Sequence, residues 1–482
     1  MTGLARPATA RPQTRPGIVL AILCSGVILG SLDLFIVNVA LPQIAHDFGD
    51  ASLGSLSWVL NAYAIVFAAL LVPAGRLTDR ASRKRGFLLG VAIFTAASAA
   101  CAAATGVGML VALRAVQGVG AALLVPTSLG LVLAAYPAER RGGAVRIWTA
   151  MGGLAAGLGP VLGGLLVAAD WRWAFIVNVP VGLAALVLGW RLLPDVPGDR
   201  GPIPDAAGAL LLTFSIGALV LGLVKSNDWG WGSGRVVALL AASVAATALF
   251  VLRSGRHRSP VLELSLLRVP SYSVTLLATM LFSAAFAGML LSIVLWAQND
   301  WGWSALKTGL AVSPGPLMVP VLSVASGRLI PRFGPGPVIA AGCAAFAAGL
   351  LWWTGAVGLQ PHYADVLGGL LVTGIGVGLT LPTLYSTAAG ALPPQRFATG
   401  SAVVSMIRQI GFAVGVAVLI AVLGSPSTPQ ARLTAFQHGW AVTALAALLG
   451  GAVALLLRRP APVIATAPAS APVPAPAAAA SA

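Results

Sequence analysis

Long apolar runs dominate the chain, and its polar residues gather between those runs instead of alternating with apolar ones. A bilayer core about 30 Å thick is crossed by roughly 20 apolar residues in helical form. Runs of that kind, broken at Gly/Pro and charge clusters, predict helical spans over 17–41, 56–76, 86–105, 107–135, 145–168, 173–193 and 206–225. Seven more follow over 235–253, 273–298, 308–330, 336–355, 364–391, 400–424 and 436–457. The run 107–135 is long enough to tilt or to bend at Pro126. Arg6, Arg11 and Arg15 precede the first span as they would a signal peptide, but that span is too long and lacks a clear A-x-A site, so it reads as a retained helix.

Composition agrees. Of 482 residues 58% are hydrophobic and 9% charged, against about 25% charged in a soluble globular protein. The formal net charge of +16 could signal an anionic partner, but its basic residues are spread between apolar runs and not gathered on a polar face, which argues against nucleic acid. Sorted along fourteen alternating spans with a cytoplasmic N-terminus, 22 Lys/Arg fall on the cytoplasmic side and five on the outer side. That asymmetry is the positive-inside signature and places both termini in the cytoplasm. The chain carries no GxxxxGK[ST] phosphate loop, which excludes a single-chain ATP-driven pump and a bound nucleotide. Cys24, Cys101 and Cys343 sit inside apolar runs without ligand spacing, and His46, His257, His362 and His438 form no ligand set, so no metal is expected.

The two ends of the chain resemble each other. Gly75-Arg76-Leu77 recurs as Gly327-Arg328-Leu329, Gly118-Val119-Gly120 as Gly374-Ile375-Gly376, and Gly153 through Gly157 as Gly411 through Gly415. Three such pairs in order at a near-constant offset point to an internal repeat. The expected fold is therefore an all-α polytopic membrane protein: a six-helix bundle over 17–193, two inserted spans with linkers over 194–272, and a second six-helix bundle over 273–457. Residues 1–16, basic and Pro-rich, and 458–482, almost wholly Pro, Ala and Ser, cannot bury a core and are expected to be disordered cytoplasmic tails.

Few polar residues interrupt the spans. Asp33 is the only acid well inside one, and an ionisable group at that depth marks a proton, ion or substrate path by default. At 1.5 Å per residue it stands about 22 Å from the cytoplasmic face, while Arg114 in an inward-running span stands roughly 10 Å from the outer face. Both thus lie at a similar level and could pair directly or through water. Gln117 and Gly118 share the face of Arg114; Asn38 reads equally well as interhelical glue. Gly153, Gly157, Gly159, Gly163 and Gly164 around Pro160 give the fifth span two faces of small residues, suited to a close crossing with a kink. Arg408 has no assigned role, and snorkelling is its plain reading.

These motifs resemble those of the major facilitator superfamily, specifically its fourteen-span drug:proton antiporters. Gly75-Arg-Leu-Thr-Asp79-Arg80 with Arg83-Lys84-Arg85 is similar to the loop signature between spans 2 and 3, and Arg114-Ala-Val-Gln117-Gly118 to the fourth-span signature. Gly153 through Gly164 resemble the fifth-span antiporter signature. Leu32-Asp33 with Asn38 and Pro42, and Trp171-Arg172-Trp173 with Phe175, Asn178 and Gly182, are similar to marks of the subgroup. Two positions depart: Phe35 stands where the family usually has Thr, and Ser82 where the loop usually has Gly.

The resemblance implies a secondary transporter, not an enzyme, that exports small, mostly hydrophobic drugs or antibiotics by alternating access in a bacterial inner membrane. It needs no cofactor beyond a proton gradient, and its partners would be a drug-like molecule, protons and the lipid bilayer, with the protein acting as a monomer. Asp33 and Arg114 would couple protons; Gly75, Asp79, Arg80, Arg83 and Lys84 would form a cytoplasmic gate loop. Phe35, Gln117, Phe282, Phe286 and Tyr385 are the candidate substrate-lining residues. Uptake or exchange of a specific metabolite, or a non-transporting membrane receptor, are the alternatives.

Overall fold

The computed structural model describes residues 16–49, 51–195, 202–392 and 397–457; both tails lie outside them. The chain folds as consecutive helices: α1 (Pro16–Asp47), α2 (Leu53–Arg80), α3 (Arg83–Ala102), α4 (Val107–Ala135), α5 (Ala138–Ala169), the short α6 (Trp173–Ile176), α7 (Asn178–Leu192), α8 (Ala206–Trp229) and α9 (Gly234–Arg256). There follow α10 (Leu264–Leu267), α11 (Pro270–Leu295) with a π-helical turn at Trp296–Asp300, α12 (Ala305–Val312), α13 (Pro314–Phe333), α14 (Pro335–Ala356), α15 (Tyr363–Gly390), α16 (Phe397–Leu423) and α17 (Pro429–Ala454). Thirteen helical segments among the described residues are long and apolar enough to cross a membrane, α6–α7 and α12–α13 each counting once. The fifth expected span is the one outside that number: α5 has 32 residues, of which Leu158–Ala169 form an apolar stretch.

Side-chain caps mark many boundaries that the sequence left uncertain. Ser52, Ser82, Ser233, Ser304 and Thr428 each accept a hydrogen bond from a backbone N–H three residues on, at the starts of α2, α3, α9, α12 and α17. Gly334, at φ 86°, makes the left-handed turn between α13 and α14 that a side chain would disfavour. The prolines do not end their helices: α4 continues through Pro126 and α5 through Pro160. The tenth span, by contrast, divides at Ser313–Pro314, where proline takes the first position of α13 and needs no donor there. Large apolar side chains remain on the outside, Leu210, Val244 and Trp190 being 70%, 71% and 73% exposed, as lipid contact requires.

Two sets of helices pack in the same pattern. In the first, α1 lies on α5, α4 on α2 and α3, and α7 on α3; in the second, α11 lies on α16, α15 on α13 and α14, and α17 on α14. The two most extensive crossings between the sets are α2 on α16 and α5 on α12, while α8 and α9 pair with each other and dock α8 against α2 and α16.

Polar contacts sort by end. At the end holding most of the basic residues, Arg76 pairs with Glu263, Arg253 with Asp205 and Lys84 with α7 carbonyls. At the opposite end Arg172 pairs with Asp47, Arg432 with Asp300, and Trp301 donates to the Gly358 carbonyl.

Candidate functional site

Asp33 and Arg114 meet inside the first helix set. The guanidinium Nη1 lies 2.5 Å from Asp33 Oδ2, and neither side chain has any exposure. Four helices hold the pair. Arg114 Nε donates to the Val59 carbonyl of α2 at 2.9 Å and Nη1 also donates to Gln117 Oε1 at 2.6 Å. Gln117 Nε2 donates to Asp33 Oδ1 (2.8 Å) and to Ser98 Oγ of α3 (2.7 Å). Asn178 Nδ2 reaches both Asp33 Oδ1 and Ser98 Oγ at 3.3 Å from the start of α7. The Tyr63 ring stacks under the guanidinium, 4.3 Å from its carbon, a favourable cation–π contact.

The helical repeat explains the convergence, since Arg114 and Gln117 share a face at i, i+3. The Trp171-Arg172-Trp173 turn places Asn178: Trp171 Nε1 and Arg172 Nη1 both donate to Asp47 Oδ2, at 2.8 and 3.1 Å, tying the end of α1 to the turn before α6. Buried charges are tolerated only when paired and hydrogen-bonded, and this pair has both forms of support. Among the described residues, Arg114 Nη2 and the Tyr63 hydroxyl are buried and make no hydrogen bond.

Two contacts close the space between the helix sets at the end away from the basic residues. On α5, the Pro160 carbonyl sits against Gly309 of α12, and Gly164 lies against the Ala305 carbonyl so closely that a Cβ there would come within 2.7 Å. Gly159 and Gly163 face α1 instead, against Phe35 and Ile36. The crowded glycines of the fifth span thus serve two crossings, one within the first set and one between sets. The surroundings of Gly153 and Gly157 lie outside the described residues. Gln298, within the π turn, donates to the Val39 carbonyl at 3.1 Å and bridges the same end.

Of the candidate lining residues, Phe35 and Phe286 meet between the sets with ring centroids 6.1 Å apart, and Phe286 also meets Phe412 of α16 at 5.9 Å. Leu34, Asn38 and Asn61 face Ala287, Phe412 and Val416 across a cavity with room for about one water. Tyr385 is half-buried on α15. Gln117 and Phe282 are elsewhere: the first is consumed by the ionic network, and the second is fully buried against Phe346 within the second set.

The loop residues also disperse. Asp79 pairs with Arg83 at 2.6 Å within the exposed turn between α2 and α3, and Arg80 is exposed. Lys84 Nζ donates to the Trp190 and Leu193 carbonyls at 2.9 and 2.8 Å, capping the end of α7. Gly75 lies against Pro126 of α4. Ser82 has extended backbone, which any residue adopts, and caps α3, so the departure from Gly leaves the turn intact. Arg76, with Glu263 and Ser259 as partners, makes the tie from α2 to the α9–α11 linker. Sequence reasoning missed Ser98 and Tyr63, whose signal was a polar atom inside an apolar run, and gave Asn178 no role.

Known proteins agree with this architecture. Residues 23–416 match the Major Facilitator Superfamily. The "Tetracenomycin C resistance and export protein" of Streptomyces glaucescens is 32% identical over 431 residues, covering 88% of this chain and 79% of that protein. The "Multidrug efflux pump LfrA" of Mycolicibacterium smegmatis is 32% identical over 464 residues, covering 94% and 90%. Among solved structures, a peptide transporter of the POT family bound to sulfate has TM-score 0.66 at 18% identity, covering 93% of this chain and 95% of that one. A bacterial homologue of the lysosomal transporter Spinster, inward-facing, has TM-score 0.65 at 16% identity, covering 93% and 97%.

Proposed function

Because the chain belongs to the major facilitator superfamily, we propose that it exports small, mostly hydrophobic drugs or antibiotics across the cell membrane in exchange for protons. Relatives named for export and efflux support the direction. The observation that carries proton coupling is the fully buried Asp33–Arg114 pair, an ionisable intramembrane couple held by hydrogen bonds from Gln117 and Asn178.

In this reading α5 is a membrane crossing in its own right, giving fourteen. The matching packing of the two helix sets supports two six-helix repeats, 17–193 and 273–457, with α8 and α9 inserted. The excess of basic residues at one end supports cytoplasmic termini. The conformer is then the one shut to the outside by Pro160, Gly164 and Gly309. A proton arriving on Asp33 weakens its hold on Arg114, Gln117 and Asn178, loosening α1 from α4 and α7, and the energy source is the proton gradient. Drug occupies the space between the sets near Phe35, Phe286 and Tyr385.

The test is transport by the full chain in proteoliposomes. A lipophilic fluorescent dye should accumulate when the lumen is acidic and stop when a protonophore collapses the gradient. Dye movement indifferent to the gradient would sink the antiport reading.

A further inference from the structure

Charge in the interior of the helices does not cancel. Asp33 is matched one to one by Arg114, whereas Arg408 has no acid partner among the described residues, and its buried Nε makes no hydrogen bond. Its place is set by the helix. Arg408, Phe412 and Val416 stand at i, i+4 and i+8 on α16, so they share one face. Phe412 and Val416 line the cavity opposite Leu34 and Asn61. Arg408 therefore lies on that face one turn nearer the basic end, beneath the aromatic cluster of Phe35, Phe286 and Phe412, with its guanidinium carbon 6.0 Å from the Phe412 ring. It is half-buried and about 16 Å along α16 from Phe397, deep for a side chain whose only task is to reach headgroups. An unpaired cation in such a place is costly and calls for a counter-charge.

We propose that Arg408 is a substrate-binding cation and that the preferred cargo is an aromatic compound carrying an anionic group, a carboxylate or an ionised phenol. The ring system would pack on Phe286 and Phe412 while the anion takes the planar N–H edge of the guanidinium, which suits a two-oxygen acceptor. One turn further along, Asn61 is fully buried with both amide atoms unpaired and lines the same cavity, a second polar contact for a carbonyl or hydroxyl on the cargo. This inference rests on the export reading for its direction of transport and not for the binding itself.

The experiment compares a fluorescent coumarin carboxylate with its uncharged ethyl ester, binding each to the purified full chain by fluorescence anisotropy. Wild type should bind the carboxylate more tightly than the ester. Arg408→Gln should weaken carboxylate binding about tenfold or more while leaving the ester within about twofold, as loss of a charge-assisted contact implies. Arg408→Lys should fall between, keeping charge but not the planar fork, and Arg408→Glu should turn preference to a cationic dye. A wild-type protein that binds the carboxylate no better than the ester, or an Arg408→Gln variant that loses both alike, overturns the proposal. Proton-driven transport of the ester in proteoliposomes separates the two readings: if it persists in wild type and Arg408→Gln while the carboxylate preference is absent, export stands and the anion site falls. If the preference is present without gradient-driven transport, the reverse holds.

Discussion

Replacing Asp33 by Asn keeps the side-chain volume and removes its charge, leaving Arg114 buried without an acid. Asp33 takes hydrogen bonds from Arg114 at 2.5 Å, Gln117 at 2.8 Å and Asn178 at 3.3 Å, and an amide nitrogen would face at least one of these donors. Removing one member of a buried pair costs about 3–5 kcal/mol. At roughly 2–4 °C per kcal/mol for a bundle of this size, Tm should fall by about 6–20 °C. Replacing both partners, Asp33→Leu with Arg114→Met, removes the stranded charge, and for pairs of this kind such a swap is neutral or stabilising by about 1–4 kcal/mol. Stability should therefore recover in the double variant while gradient-driven transport stays absent in both. Tm is followed by tryptophan fluorescence of the detergent-solubilised chain, and transport by dye movement in proteoliposomes. A single variant with wild-type Tm refutes the energetic reasoning; a double variant that still moves dye with full gradient dependence refutes the assigned role.

Other consequences are simpler. Gly309→Val puts a branched side chain against the Pro160 carbonyl and should hold the outer end open, raising maleimide labelling of a cysteine placed at Leu306; the native cysteines are all buried and contribute little background. Unchanged labelling would remove these glycines from the seal. Ser98→Ala takes away the hydroxyl that Gln117 and Asn178 both use and should cost about 1–3 kcal/mol by leaving buried donors short, read as a lower Tm with gradient dependence retained. Arg76→Gln and Glu263→Gln should each loosen the α2–linker tie, with a coupling of about 1 kcal/mol in a double-mutant cycle of chemical unfolding.

Apolar run length was enough to place nearly every helix, because a span in lipid must satisfy its backbone within itself and so follows hydropathy closely. Ends were less legible: α1 extends to Asp47 and α5 starts at Ala138, since helices continue past the bilayer as long as caps allow. The pairing of Asp33 with Arg114 was readable from depth alone. The rest of its cage was not, because Ser98 and Asn178 look like any small polar residue in a span until α3 and α7 are packed. The surroundings of the candidate lining residues were the least legible. Phe282 and Phe286 differ by one helical turn and both meet Phe346, yet Phe286 also reaches Phe35 and Phe412, and only the packing of α11 distinguishes them.

The placement of the ion pair gives the proposed proton site a path to a seal it does not touch. Asp33 is followed on α1 by Phe35 and Ile36, which pack on Gly159 and Gly163 of α5. Their neighbours Pro160 and Gly164 make the crossing to α12. On α2, Val59 and Tyr63 hold Arg114, and between them Leu60 and Asn61 face Phe412 and Val416 of α16. Each crossing between the sets is therefore one side chain removed from a group that binds the pair. In the proposed mechanism a shift of α1 on protonation would displace the α5 glycine contacts, because backbone packed on backbone has no slack to absorb it, whereas α2 meets α16 through side chains around the small cavity. The proposed coupling needs no long relay: α1 carries Asp33 and packs on the α5 glycines beside the seal, while α2 holds Arg114 and meets α16.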